Sequence, residues 1–172
     1  MKTFETTYCI GPIDLPCSAP RAVTDGNSIL ATVEVAAPSE RVWQALTTAE
    51  VERWWGSEDT YRVEQWSADL RLGGRWSLLV RTRDGKTHPA SGTFLKIDAS
   101  HKIVQTRKYE WNHPTLGWVD TIVTYRLQPI ATGTRITVRQ DGFTGRNDAA
   151  DEHAQGWERF LGWLAAYLKR GF

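Results

Sequence analysis

The chain has 172 residues, enough for one domain with a sizeable core. Hydrophobic residues make up 41% and charged residues 24%, an ordinary mixture for a soluble globular protein, and 21 basic against 20 acidic side chains leave a formal net charge of +1. Lys and Arg are interleaved with Asp and Glu, which argues against nucleic acid or an anionic membrane as a partner. Met1–Lys2–Thr3–Phe4–Glu5 opens no apolar leader and no later run is long enough to span a bilayer, so the expected location is the cytoplasm. The two cysteines, Cys9 and Cys17, match no zinc pattern; they are expected to be reduced thiols in a cytosolic protein, with a disulfide as the alternative in an oxidising compartment. Nine tryptophans are unusual; Trp needs shelter for its rings and a partner for its N–H, so at least half are expected in the core.

Residues 1–27 carry Gly11-Pro12, Leu15-Pro16, Ala19-Pro20 and Asp25-Gly26, which punctuate structure and predict an irregular arm. Phe4, Tyr8, Ile10 and Leu15 give that arm apolar residues with which to pack on the domain or on a second subunit. Ile29–Val35 reads as a strand. Ser39 is the expected N-cap of a helix with Val42, Trp43 and Leu46 on its apolar face, and a short helix over Ala49–Trp54 follows. Strands are then predicted over Tyr61–Trp66, Arg75–Arg83, Ser91–Asp98, Lys102–Trp111, Trp118–Gln128 and Thr134–Asp141. Asp84-Gly85 is the strongest hairpin signal and predicts a type I′ turn. From Asp148 to Arg170, His153, Trp157, Phe160, Leu161, Leu164 and Leu168 recur at helical spacing. A single long helix must bury this stripe against the sheet. The fold class is therefore α+β: a curved antiparallel sheet wrapped around a long C-terminal helix, with two short helices after the first strand. Such a sheet and helix enclose a pocket.

Side chains alternate across a strand, so each strand offers two faces. The inner face is expected to carry Trp76, Leu78 and Val80, then Val119, Thr121, Val123, Tyr125 and Leu127, then Ile136, Val138 and Gln140. On Lys102–Trp111 the aromatic residues favour Ile103, Gln105, Arg107, Tyr109 and Trp111 as the inner set. An inward Arg107 has two readings. Its fork clamps a carboxylate or phosphate on a ligand, or it pairs with Asp120 or Glu110 or sits at the cavity mouth. Of the four histidines, His88, His101 and His113 fall in or near turns and His153 lies on the helix stripe, where a satisfied ring is expected. No metal-ligand cluster, nucleophile elbow or phosphate loop is present, so no catalytic residue, metal or cofactor is assigned. Trp54-Trp55 is either packed on the sheet rim or forms a lid or protein-binding patch.

Val33-Glu-Val35 leading into Ala37-Pro38-Ser39-Glu40-Arg41-Val42-Trp43, Trp54-Trp55, Gly73-Gly74-Arg75, Asp84-Gly85-Lys86, Gly92, Gly133-Thr134-Arg135, Gly142-Phe143 and His153–Trp157 occur in an order that resembles the START-like (SRPBCC) superfamily. Within it, the chain is most similar to the branch of activators of the heat-shock chaperone ATPase, the Aha-type homologues. The resemblance covers residues 28–172 and leaves the arm outside. It implies the helix-grip fold, with a cavity between sheet and C-terminal helix. One departure is visible: Gln140 precedes Asp141-Gly142 where relatives often carry His.

The reading that follows is a binding module for a small apolar or amphipathic molecule. Its expected wall is Trp76, Leu78, Arg107, Tyr109, Trp111, Thr121, Val123, Tyr125, Trp157 and Phe160. The alternatives are a cyclase or hydrolase working in the same cavity, or a protein-binding module that regulates a chaperone. A homodimer is a further expected possibility for the assembly.

Overall fold

The computed structural model describes residues 19–171; Phe4, Tyr8, Ile10, Leu15 and both cysteines lie outside the described residues. In chain order the elements are β1 (Arg21–Thr24), β2 (Ser28–Val35), α1 (Ser39–Thr47), α2 (Val51–Trp54), β3 (Tyr61–Ala68), β4 (Arg75–Thr82), β5 (Thr87–Asp98), β6 (Lys102–Tyr109), β7 (Thr121–Ile130), β8 (Gly133–Asp141) and α3 (Asn147–Lys169). The strands form one sheet in the order β1-β2-β8-β7-β6-β5-β4-β3. Every pairing is antiparallel.

The alternating patterns sort the side chains as expected. Ile29, Ala31, Val33 and Val35 of β2, Ile136, Val138 and Gln140 of β8, and Thr121, Val123, Tyr125 and Leu127 of β7 are all buried. The α3 stripe of Trp157, Phe160, Leu161, Leu164 and Leu168 closes over them. Among the described residues, no helix is long and apolar enough to cross a membrane.

Several boundaries move, each for a local reason. Residues 21–24, assigned to the arm, form β1 on the edge of β2, and the Ala22 N–H donates to Glu158 of α3 at 3.0 Å. Ser39 does not cap α1. The helix is entered from Pro38 with no side-chain cap. The Thr134 hydroxyl uses its proton on the Ala37 carbonyl at 2.7 Å, so the Ser39 hydroxyl donates to Thr134 at 3.2 Å. Asp84-Gly85 does not form a type I′ turn, because only Gly85 takes a positive φ, +83°. The turn spans Thr82–Gly85, with the Gly85 N–H on the Thr82 carbonyl at 2.9 Å. A glycine in the left-handed region after such a turn still matches the twist of the two strands.

β5 starts at Thr87 rather than Ser91, β6 stops at Tyr109 rather than Trp111, and β7 starts at Thr121 rather than Trp118. Residues 110–120 therefore fold as a loop over the end of the sheet, pinned by a His113–Gly117 bridge. Gly92 is required where the indole N–H of Trp76 crosses to the Thr106 carbonyl at 3.1 Å. A Cβ on Gly92 would sit 1.8 Å from that carbonyl oxygen and 2.4 Å from the indole nitrogen.

Candidate functional site

Arg107 projects from β6 to the concave side and is only 8% exposed. Among the described residues its guanidinium makes no ion pair and no hydrogen bond, and its Nε is buried without a partner. Neither expected alternative partner, Asp120 nor Glu110, pairs with it; Glu110 accepts the Ser91 hydroxyl at 2.6 Å and faces Arg75 at 3.9 Å. The charge is held by rings. The Arg107 Cζ lies 5.3 Å from the Trp55 ring, 5.4 Å from Trp157, 5.9 Å from Tyr109 and 6.0 Å from Trp76.

Beside Arg107 opens a cavity of about 330 Å³. β4 contributes Val80 and Thr82, β5 His88, and β6 Arg107 and Tyr109. The 110–120 loop adds Trp111, His113 and Pro114; α3 adds Glu152, His153, Gly156, Trp157, Arg159 and Phe160. Trp55 and Tyr61 close one side. The walls are mostly ring faces. His88 lies 4.2 Å from Trp111, and His113 stacks on Tyr109 at 4.5 Å.

The polar atoms of this wall have determined roles. The Nδ1 of His153 faces the Ala149 carbonyl at 2.8 Å; a carbonyl only accepts, so Nδ1 carries the proton. The Nε2 then accepts, and the Tyr109 hydroxyl donates to it at 2.9 Å. Burial pulls the His153 pKa down to about 4, with a smaller opposing contribution from the Ala149 carbonyl. His113 is also held below its ordinary value, first by burial, while nearby Glu152 pulls the other way. Its Nδ1 accepts the Leu116 N–H at 3.2 Å, and its Nε2 lies 3.7 Å from Glu152. Trp111 Nε1 is a second buried donor with no partner. The histidines meet ring faces rather than a shared point; among the described residues, no group of three His, Cys, Asp or Glu side chains could hold a metal ion.

A family model, that of the Activator of Hsp90 ATPase homolog 1-like proteins (AHSA1), matches residues 36–169. The chain belongs to the AHSA1 family. Solved structures agree on its fold. A protein from Chromobacterium violaceum is 24% identical and superposes with a TM-score of 0.71, covering 82% of this chain and 96% of its own. One from Rhodobacter sphaeroides is 19% identical with a TM-score of 0.74, covering 88% and 98%. An AHSA1-like protein from Aeromonas hydrophila is 19% identical with a TM-score of 0.67, covering 83% and 92%. At these identities the likeness establishes the helix-grip fold alone. No curated protein matches the chain.

Within this AHSA1 domain, the residues expected along the cavity divide by depth. Arg107, Tyr109, Trp111, Trp157 and Phe160 line it. Trp76 and Tyr125 lie deeper, around a void of about 20 Å³ with Gln105 and Phe94. Leu78, Thr121 and Val123 are buried and line neither space. Strand alternation identifies a face but not how far along it the helix has already filled the interior.

Trp55 was weighed only as a lid over the cavity, and His88, His113, Glu152 and His153 were not expected in the wall. His153 had a usable signal, since it sits one turn before Trp157 on a helix facing the sheet. His88 and His113 had none, because a longer β5 and a folded-back loop bring them in. The Trp54-Trp55 pair forms no exposed patch; both indoles are buried, edge-on to Phe160. Trp118 is the exposed indole instead.

Proposed function

We propose that this AHSA1 domain binds a small amphipathic molecule in the cavity between β4–β6, the 110–120 loop and α3. The carrying observation is Arg107: a buried, unpaired guanidinium beside a ring-lined space of about 330 Å³. An unpaired buried charge is costly to hold, and a ligand group that meets it offsets that cost. The volume sits at the lower end of the range for small-molecule pockets, roughly 300–1,000 Å³. Apolar walls with a few placed polar groups are the usual composition of such pockets.

The enzymatic alternative rests on the Tyr109–His153 pair, which lies inside the cavity with a perturbed histidine. Both nitrogens of that histidine already bond to protein groups, and a base with a pKa of about 4 is a poor proton acceptor near neutrality. The chaperone-regulating alternative loses one of its two candidate patches with the burial of Trp54-Trp55, and the other, the N-terminal arm, falls mostly outside the described residues. Binding is therefore the better supported reading.

The test compares the native and denatured masses of the purified protein by mass spectrometry. A small organic adduct, retained only under native conditions, is the expected result. An adduct that survives replacement of Arg107 and of Gly156 with equal occupancy would place the ligand elsewhere.

A further inference from the structure

We infer that the ligand is a small aromatic carboxylate, with its carboxylate on the Arg107 guanidinium and its ring among the faces of Trp55, Trp111 and Trp157. This inference rests on the cavity reading above and specifies the chemistry of the occupant.

A cavity walled by indoles and phenols is ordinarily suited to a cation, which the negative ring faces attract. Here that place is taken. The Arg107 guanidinium already stands within 6.0 Å of four ring centres, those of Trp55, Trp76, Tyr109 and Trp157. A cationic ligand would meet a fixed like charge at close range, and a neutral one would leave that charge unmatched.

The unpartnered guanidinium points the same way. Arg107 lines the cavity, its guanidinium has donors only, and none of them is bonded among the described residues. A ligand that meets it must bring acceptors. A carboxylate brings two oxygens in the plane a guanidinium fork matches. A phosphate monoester fits less well: it brings about two negative charges. Arg107 is the buried cation of the wall, Arg159 is exposed, and Glu152 adds a negative charge on α3.

The ligand's body follows from the walls. Flat rings at several inclinations, including Trp157 edge-on to Phe160 at 4.9 Å, receive a planar aromatic body through offset and edge contacts.

The test is calorimetric titration of the full chain with four probes that share one ring system: 2-naphthoate, 2-naphthamide, 2-naphthyl phosphate and 2-naphthyltrimethylammonium. The expected order places naphthoate at least about tenfold tighter than naphthamide, as a charge-assisted hydrogen bond implies. Naphthyl phosphate should bind more weakly than naphthoate, and the ammonium should show no heat of binding. Arg107→Gln should reduce naphthoate to the affinity of naphthamide and leave naphthamide within about twofold. Should Arg107→Gln fail to fold, Arg107→Lys keeps the charge, loses the fork and should still weaken naphthoate alone; the wild-type series is decisive by itself.

Equal binding of naphthoate and naphthamide would overturn the carboxylate assignment while leaving the cavity reading intact. Tighter binding of the phosphate or the ammonium would do the same. Failure of all four probes would remove both.

Discussion

His153 is neutral in the folded protein because its ring is buried between α3, Tyr109 and His113. Its folded pKa is depressed to about 4 from an ordinary value of 6.5. Between those values the unfolded chain binds a proton that the folded chain refuses, so stability rises with pH across this window. The contribution is complete above about pH 6.5, declines as the pH falls, and is lost below about pH 4. The shift corresponds to roughly 3 kcal/mol over the whole window. His113, pulled in the same direction by burial, steepens the loss. Urea unfolding of the wild type at pH 7 and pH 4.5 should show a drop of about 2 kcal/mol or more, and His153→Gln should remove most of it. An identical drop in the variant would mean that other groups carry the acid sensitivity.

At the scale of elements, Gln140 is the joint between helix and sheet. The indole N–H of Trp157 on α3 donates to Gln140 Oε1 at 2.7 Å. The Gln140 amide donates to the Thr121 hydroxyl at 2.9 Å, and that hydroxyl donates to the Arg107 carbonyl at 3.3 Å. One buried chain thus ties α3 to β8, β7 and β6, and it fixes the indole that stands over Arg107. The resemblance to AHSA1 relatives marked this position as a departure, with Gln where His is common. The amide supplies both an acceptor and a donor here without carrying a charge into the core. Gln140→Met keeps the length and deprives the Trp157 N–H of its acceptor, which should cost about 2–3 kcal/mol in guanidinium unfolding. A change below about 0.5 kcal/mol would show that the indole finds another partner.

For the whole molecule, Gly156 sets helix stability against the open space beside α3. It lies in the interior of α3, where glycine is roughly 1 kcal/mol worse than alanine. A Cβ there would meet only the end of the Arg159 side chain at 3.9 Å, with the cavity beside it. Gly156→Leu should therefore raise the melting temperature by roughly 2–4 °C through helix propensity and added burial. The same side chain should occupy the cavity and weaken 2-naphthoate at least tenfold, on the order expected for loss of a ring-sized contact. A rise in melting temperature with undiminished binding would move the ligand site away from α3. A fall would show that the space beside Gly156 is not open.

The sequence by itself determined most of the elements and their faces; the edge strand β1 was read as part of the arm. The period-two pattern placed Ile103, Gln105 and Arg107 on the concave side of β6, and the period-3.6 stripe laid Trp157, Phe160 and Leu164 against the sheet. Both patterns are local, because burial on one face is written in the spacing of apolar residues. Capping and turn details at Ser39 and Asp84 were less legible, since a tertiary partner, Thr134, and the twist of β4 and β5 outweighed the local preference. Only the tertiary structure decided where the interior stays open. Thr121, Val123 and Leu78 share the inner face with Arg107, yet packing fills the space over them and leaves the cavity at the far end of β6. That difference depends on how long strands, loop and helix meet, which is a property of packing between distant segments. The tautomer of His153, the burial of His113 and the unpaired donors of Arg107 and Trp111 depend on the same meeting.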